Sequence, residues 1–124
     1  MRVITANDGD VTATGAAEMT GLAAPSRGST ELSTWKVRMR PGATGPEHVI
    51  DREQVWTVTA GALEIASEGR TERVDAGQTA ILPAGAVRTV STADQAAEAL
   101  VAMAADGSAS LPGDDTARPV PWAR

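Results

Sequence analysis

Turn-forming residues punctuate this chain at short intervals, and that spacing limits its architecture more than any other feature. After Pro41-Gly42, turn residues at Gly61, Gly69, Gly77 and Pro83-Ala84-Gly85 recur about every eight residues, the cadence of a sandwich or small barrel. Between these turns the side chains alternate. From Glu31 to Arg40, Ser33, Trp35, Val37 and Met39 make one face and Thr34, Lys36, Arg38 and Arg40 the other, the period of a half-buried strand. Val55 to Thr59 is β-branched and aromatic and closes on Ala60-Gly61; the chain resumes as Ala62 to Ala66, which reads as a hairpin, before a turn at Glu68-Gly69-Arg70. Thr79 to Leu82 and Val87 to Thr92 are two further strands around Pro83.

Asp94 to Glu98 has the composition of a capped helix. Leu100 to Met103 is a short apolar run that a barrel buries, and its neighbours are β, so the reading for this segment is loop and then strand. The expected organisation is an N-terminal arm with edge strands over 1–31, a barrel core over 32–105, and a Pro/Gly-rich irregular tail over 106–124. That tail packs on the barrel and leaves Trp122 to lie across it.

Composition removes several functions. A single Lys and a net charge of -5 give no cationic face for a phosphate backbone, so neither nucleic acid nor an anionic membrane is an expected partner. Without cysteine there is no disulfide, thiolate metal site or thiol nucleophile. Met1 to Thr5 runs straight into Asn7-Asp8-Gly9-Asp10 with no apolar leader, and no run approaches a membrane span, so the expected location is cytoplasmic. No Gly-rich phosphate loop and no serine nucleophile motif is present. Phe and Tyr are absent and Ala makes up much of the 42% apolar content. So thin a core gains from burial against a second copy, and a homodimer is expected.

Two segments stand out by spacing. In the first, Gly42 is followed after five residues by His48, then Ile50, Gln54 and, after six more, Gly61; in the second, Gly77 is followed after five residues by Pro83, then Gly85, Arg88 and Thr92. Together they resemble the paired motifs of the cupin family over residues 32 to 105. The resemblance implies an all-β fold, the double-stranded β-helix or jelly-roll barrel. In metal-bearing cupins, two His and a Glu of the first motif and a His of the second hold one divalent ion. The matching positions here are His48, Ile50, Gln54 and Arg88. An isoleucine donates nothing and a guanidinium adds positive charge where the ion would sit, so no metal and no other cofactor is expected.

Strand parity places His48, Ile50, Gln54, Trp56, Val58 and Arg88 inside the barrel, beside Trp35, Val37 and Met39. Polar groups converging on an apolar interior describe a small-molecule pocket. His48, the one side chain with an ordinary pKa near neutrality, is the candidate general base or simply a hydrogen-bonding part of the wall. Arg88 is the candidate holder of a carboxylate, phenolate or enolate oxygen; the alternatives are a structural pair with a carboxylate such as Glu64 or a side chain that points out through the open end. Gln54 orients the ligand, Trp35 and Trp56 serve as core or as a stacking platform, and Val37, Met39 and Ile50 complete the substrate-binding wall. Glu47, Asp51 and Glu53 are read as an acidic rim near the mouth. These residues predict a metal-independent isomerase or cyclase acting on a planar, enolisable or anionic molecule, such as a polyketide-like or aromatic acid, with His48 and Arg88 catalytic. One alternative is a non-catalytic module that binds or senses such a ligand; another is a metal-dependent oxygenase with atypical ligands.

Overall fold

Alternation in Leu32–Met39 resolves into a strand whose inner positions Ser33, Trp35, Val37 and Met39 are buried while Leu32, Lys36 and Arg38 face solvent. The computed structural model describes all 124 residues and contains twelve strands and no α-helix. In chain order these are β1 (Val11–Ala13), β2 (Ala17–Gly21), β3 (Leu32–Met39), β4 (His48–Ile50), β5 (Gln54–Ala60) and β6 (Ala62–Ser67). They continue as β7 (Arg70–Asp75), β8 (Thr79–Leu82), β9 (Val87–Ser91), β10 (Ala97–Ala104), β11 (Ser108–Ser110) and β12 (Arg118–Pro119). Two six-stranded antiparallel sheets result, ordered β1-β2-β3-β10-β5-β8 and β12-β11-β4-β9-β6-β7, and they enclose the core as a jelly roll.

The hairpin read across Gly61 does not form. β5 pairs with β10 and β8, whereas β6 pairs with β7 and β9, so the chain changes sheets at Gly61. Gly61 has φ +67, and a Cβ there would overlap the Ala96 carbonyl, which explains why this corner takes glycine. The hairpin is β6–β7, whose turn residues Glu68 and Gly69 both have positive φ, the backbone twist that matches two right-twisted strands. The Asp94 segment is a loop leading into β10, which lies between β3 and β5 at the centre of its sheet.

Both ends of the chain complete the barrel. Strands β1 and β2 extend one sheet beyond β3, and an Arg27–Asp10 ion pair ties the first turn to Pro25–Arg27. The tail, expected to be irregular, carries β11 and β12 on the edge of the other sheet, with Ser108 opposite Pro119 and Ala109 opposite Arg118. Its last turn is pinned by hydrogen bonds from Ser33 Oγ to the Ala123 carbonyl at 2.6 Å and from Ser26 Oγ to the Arg124 carbonyl at 2.6 Å. The tail is therefore a strap fixed at both ends, with its middle exposed. No helix is long and apolar enough to cross a membrane.

Candidate functional site

The inner faces of β3, β4 and β5 surround a cavity of about 380 Å³. Trp35, Val37 and Met39 supply one wall, His48 and Ile50 a second, and Gln54 and Trp56 the floor, because inward positions repeat every second residue along each strand. Arg88 stands directly opposite His48 in the β4–β9 register, yet it does not line the cavity. Its buried guanidinium lies behind the wall and donates from Nε to the Ala86 carbonyl at 2.9 Å, from Nη1 to Gln54 Oε1 at 3.0 Å and from Nη2 to the Pro83 carbonyl at 3.0 Å. No carboxylate pairs with it, so neither the Glu64 pair nor a direct ligand clamp describes its role in this geometry.

Gln54 is the hub. Its Oε1 also accepts a hydrogen bond from Trp56 Nε1 at 3.1 Å. Two donors on one oxygen fix the amide orientation, because a flipped Gln54 would set N–H against N–H. The amide nitrogen is left with Met103 Sδ at 3.6 Å, a weak acceptor. Gln54 thus presents N–H toward the barrel interior while two donors polarise its carbonyl. Its neighbour Glu53 is exposed.

His48 opens β4 and is part-buried. Its Nδ1 lies 2.9 Å from the Pro46 carbonyl, which can only accept, so Nδ1 carries the proton and Nε2 carries the lone pair. Burial is the main cause that pushes its pKa below the ordinary imidazole value, and the positive charge of Arg88 adds to it; the Pro46 bond opposes both. The balance favours the neutral ring. No carboxylate hydrogen-bonds to it.

The acidic rim does not form at the mouth. Asp51 Oδ1 accepts from the Ser108 backbone N–H at 2.7 Å, Arg52 pairs with Asp106, and none of Glu47, Asp51 and Glu53 lines the cavity. Sequence reasoning missed a different set. The strap closes one side of the cavity with Leu111, Asp114, Thr116, Arg118, Val120 and Trp122, and the arm adds Thr14, Ala17 and Met19. The available signal was a tryptophan in a proline-rich tail, which foretold packing on the barrel without indicating the cavity.

The family model described as a cupin domain matches residues 35–103. The chain is a cupin. Among solved structures, this cupin is similar to the polyketide cyclase RemF from Streptomyces resistomycificus (TM-score 0.75, 20% identity, 97% of this chain and 85% of that one). It is also similar to KdgF from Halomonas sp. (TM-score 0.67, 18% identity, 77% and 84%). A third likeness is to the DMSP lyase DddQ from Ruegeria pomeroyi DSS-3 (TM-score 0.63, 26% identity), covering 71% of this cupin but only 46% of the lyase. No curated protein matches the chain. The first two likenesses show the fold, and the site must speak for itself.

The cupin metal positions are here one imidazole, an isoleucine, an amide whose oxygen already accepts two hydrogen bonds, and a guanidinium. No group of three or more His, Asp or Glu side chains could hold an ion. This donor set does not fit a divalent metal, which needs three or more basic N, O or S ligands.

Proposed function

We propose that this cupin is a metal-independent isomerase or cyclase that moves a proton on a planar, enolisable small molecule. The observation that supports the reading is His48: it lines an apolar cavity, its Nδ1 is committed to Pro46, and no hydrogen bond engages Nε2. A neutral imidazole there takes a proton from an acidic C–H of the bound molecule, whose oxygen gains the negative charge. The Gln54 amide N–H donates to that oxygen. Arg88 acts through Gln54: its charge polarises the amide and stabilises an anion formed beside His48, and it adds to burial, the main cause, in lowering the imidazole pKa. Arg88 is a positioning residue in this scheme. Trp35 and Trp56 hold the substrate plane.

The test uses deuterium exchange, which needs no knowledge of the product. Cyclic diketones and aromatic keto acids are incubated in D₂O with the parent and with His48→Gln, and label at the acidic carbon is followed by NMR. The expected result is accelerated exchange by the parent and a loss of about a hundredfold or more in the variant. Equal exchange by both proteins removes His48 as the base. Binding without exchange by the parent points to a ligand-binding module instead.

We propose in addition that the protein pairs with a second copy. The outer face of the β3–β10–β5–β8 sheet carries an aliphatic row, Ile81 beside Val55 beside Ala102, with Leu32 and Leu100 exposed near it. Its charges are Lys36 and the Arg38–Glu98 pair at 3.6 Å, so little of the net charge lies in the way.

A further inference from the structure

Three connecting segments complete the cavity wall: the turn at 14–16, the loop at 45–46 and the strap from 111 onward. The first two are tied to the barrel. Arg40 Nη2 donates to the Gly15 carbonyl at 2.8 Å, and the Gly45 N–H donates to the Val90 carbonyl at 2.9 Å. The strap differs. Its hydrogen bonds between 111 and 117 are internal, from the Asp114 N–H to the Leu111 carbonyl at 3.1 Å and from the Thr116 N–H to Asp114 Oδ1 at 2.9 Å, and none reaches the barrel. No ion pair engages Asp114 or Asp115. Residues 111–119 are all exposed although several line the cavity, and even Leu111 keeps 58% of its surface in water, so little apolar burial holds this span down. What closes it is the two-residue pairing of β12 with β11, in which Pro119 has no N–H to give.

We propose that the span 111–119 is the gate of the cavity, and that it opens when β12 separates from β11. Both ends of the span are anchored: Ala109 and Ser110 pair with Ile50 and Val49 on one side, and on the other Val120 and Ala123 are core residues, the Ala123 carbonyl bonded to Ser33. The gate therefore swings between fixed points without disturbing the barrel. Opening breaks few contacts and few hydrogen bonds, which places it among the cheapest local openings of the molecule. A ligand enters while the gate is lifted and is enclosed when it returns. The inference rests on the small-molecule reading of the cavity and adds the route by which the ligand arrives.

The test staples the gate shut. The chain has no cysteine, so Ala109→Cys with Arg118→Cys introduces one pair, at positions directly opposite in the β11–β12 register. Antiparallel partners lie about 4.5 to 5.5 Å apart at Cα, within the reach of a disulfide. The oxidised and reduced forms of this one protein are mixed with 2-naphthol, a planar apolar probe, and stopped-flow quenching of tryptophan emission follows binding, since Trp35, Trp56 and Trp122 all line the cavity. We expect oxidation to slow association and dissociation alike, by about tenfold or more, and to leave the affinity within about twofold, because the staple holds the enclosed form that the ligand occupies. Reduction restores both rates. Equal rates in the two forms overturn the gate and leave the small-molecule reading standing. An affinity that falls without a change in association rate makes the strap a fixed wall, and also overturns it. Failure of 2-naphthol to bind the parent and the reduced form removes the small-molecule reading and the gate with it. Hydrogen exchange on the parent needs no variant: the amides of 113–117 are expected to exchange within about tenfold of the free-chain rate, while those of Thr14 and Gly45, bonded to the Ala17 and Val90 carbonyls, are protected. Strap amides as protected as those two overturn the proposal.

Discussion

Replacing Gln54 with Met removes the acceptor on which two buried donors converge, and the structure sets the size of the loss. Arg88 Nη1 at 3.0 Å is a charged donor and Trp56 Nε1 at 3.1 Å a neutral one. Stranding them costs about 2 and about 1 kcal/mol, or about 3 kcal/mol together, since a methionine of similar length fills the space without accepting strongly. For a domain of this size that lowers the melting temperature by about 12 °C. Gln54→Glu is the matched control: it keeps an acceptor for both donors, adds a charge opposite Arg88, and stays within about 1 kcal/mol of the parent at neutral pH. Urea unfolding followed by circular dichroism measures both, avoiding the fluorescence of Trp56 itself. A double-mutant cycle with Arg88→Met isolates the shared bond, with a coupling of about 2 kcal/mol. A loss under about 1 kcal/mol for Gln54→Met, or a cycle that closes to zero, refutes the hub.

Gly61→Ala forces the Ala96 backbone aside and costs about 3 kcal/mol or prevents folding, whereas Gly69→Ala, with positive φ but open space around it, costs about 1; urea midpoints compare them. Because burial and the Arg88 charge lower the folded pKa of His48, the unfolded chain takes up the proton first on acidification. The stability difference between parent and His48→Gln is therefore constant above pH about 6.5 and shrinks as pH falls below it, until the pH passes the folded value. Parallel stability curves would contradict this. Sizing at micromolar concentration is expected to show a dimer that Leu100→Lys converts to a 12.7 kDa monomer; a parent that elutes as a monomer removes the second-copy proposal.

Strand alternation made the barrel legible. A period of two in β3 and β5 is a local property, and it puts Trp35, Val37, Met39, Gln54 and Trp56 on the buried side of their strands. Arg88 shows the limit of that rule. Parity says which side of a sheet a side chain leaves from, but a long guanidinium goes where its acceptors are, and the Ala86 and Pro83 carbonyls are set by the tight turn before β9. Gly61 was misread because a glycine that turns a strand back and one that carries it to another sheet have the same local sequence. The strap escaped for a different reason: Ser33 meets Ala123 across ninety residues of chain, and no periodicity in 111–122 records such a contact.

His48 is the sole imidazole, so one nitrogen-15 NMR titration reads the central feature of the site directly. The account predicts a neutral ring at pH 7 with the proton on Nδ1, a free Nε2, and a midpoint below the ordinary value of about 6.5. A proton on Nε2 at neutral pH, or a midpoint at or above that value, would contradict it.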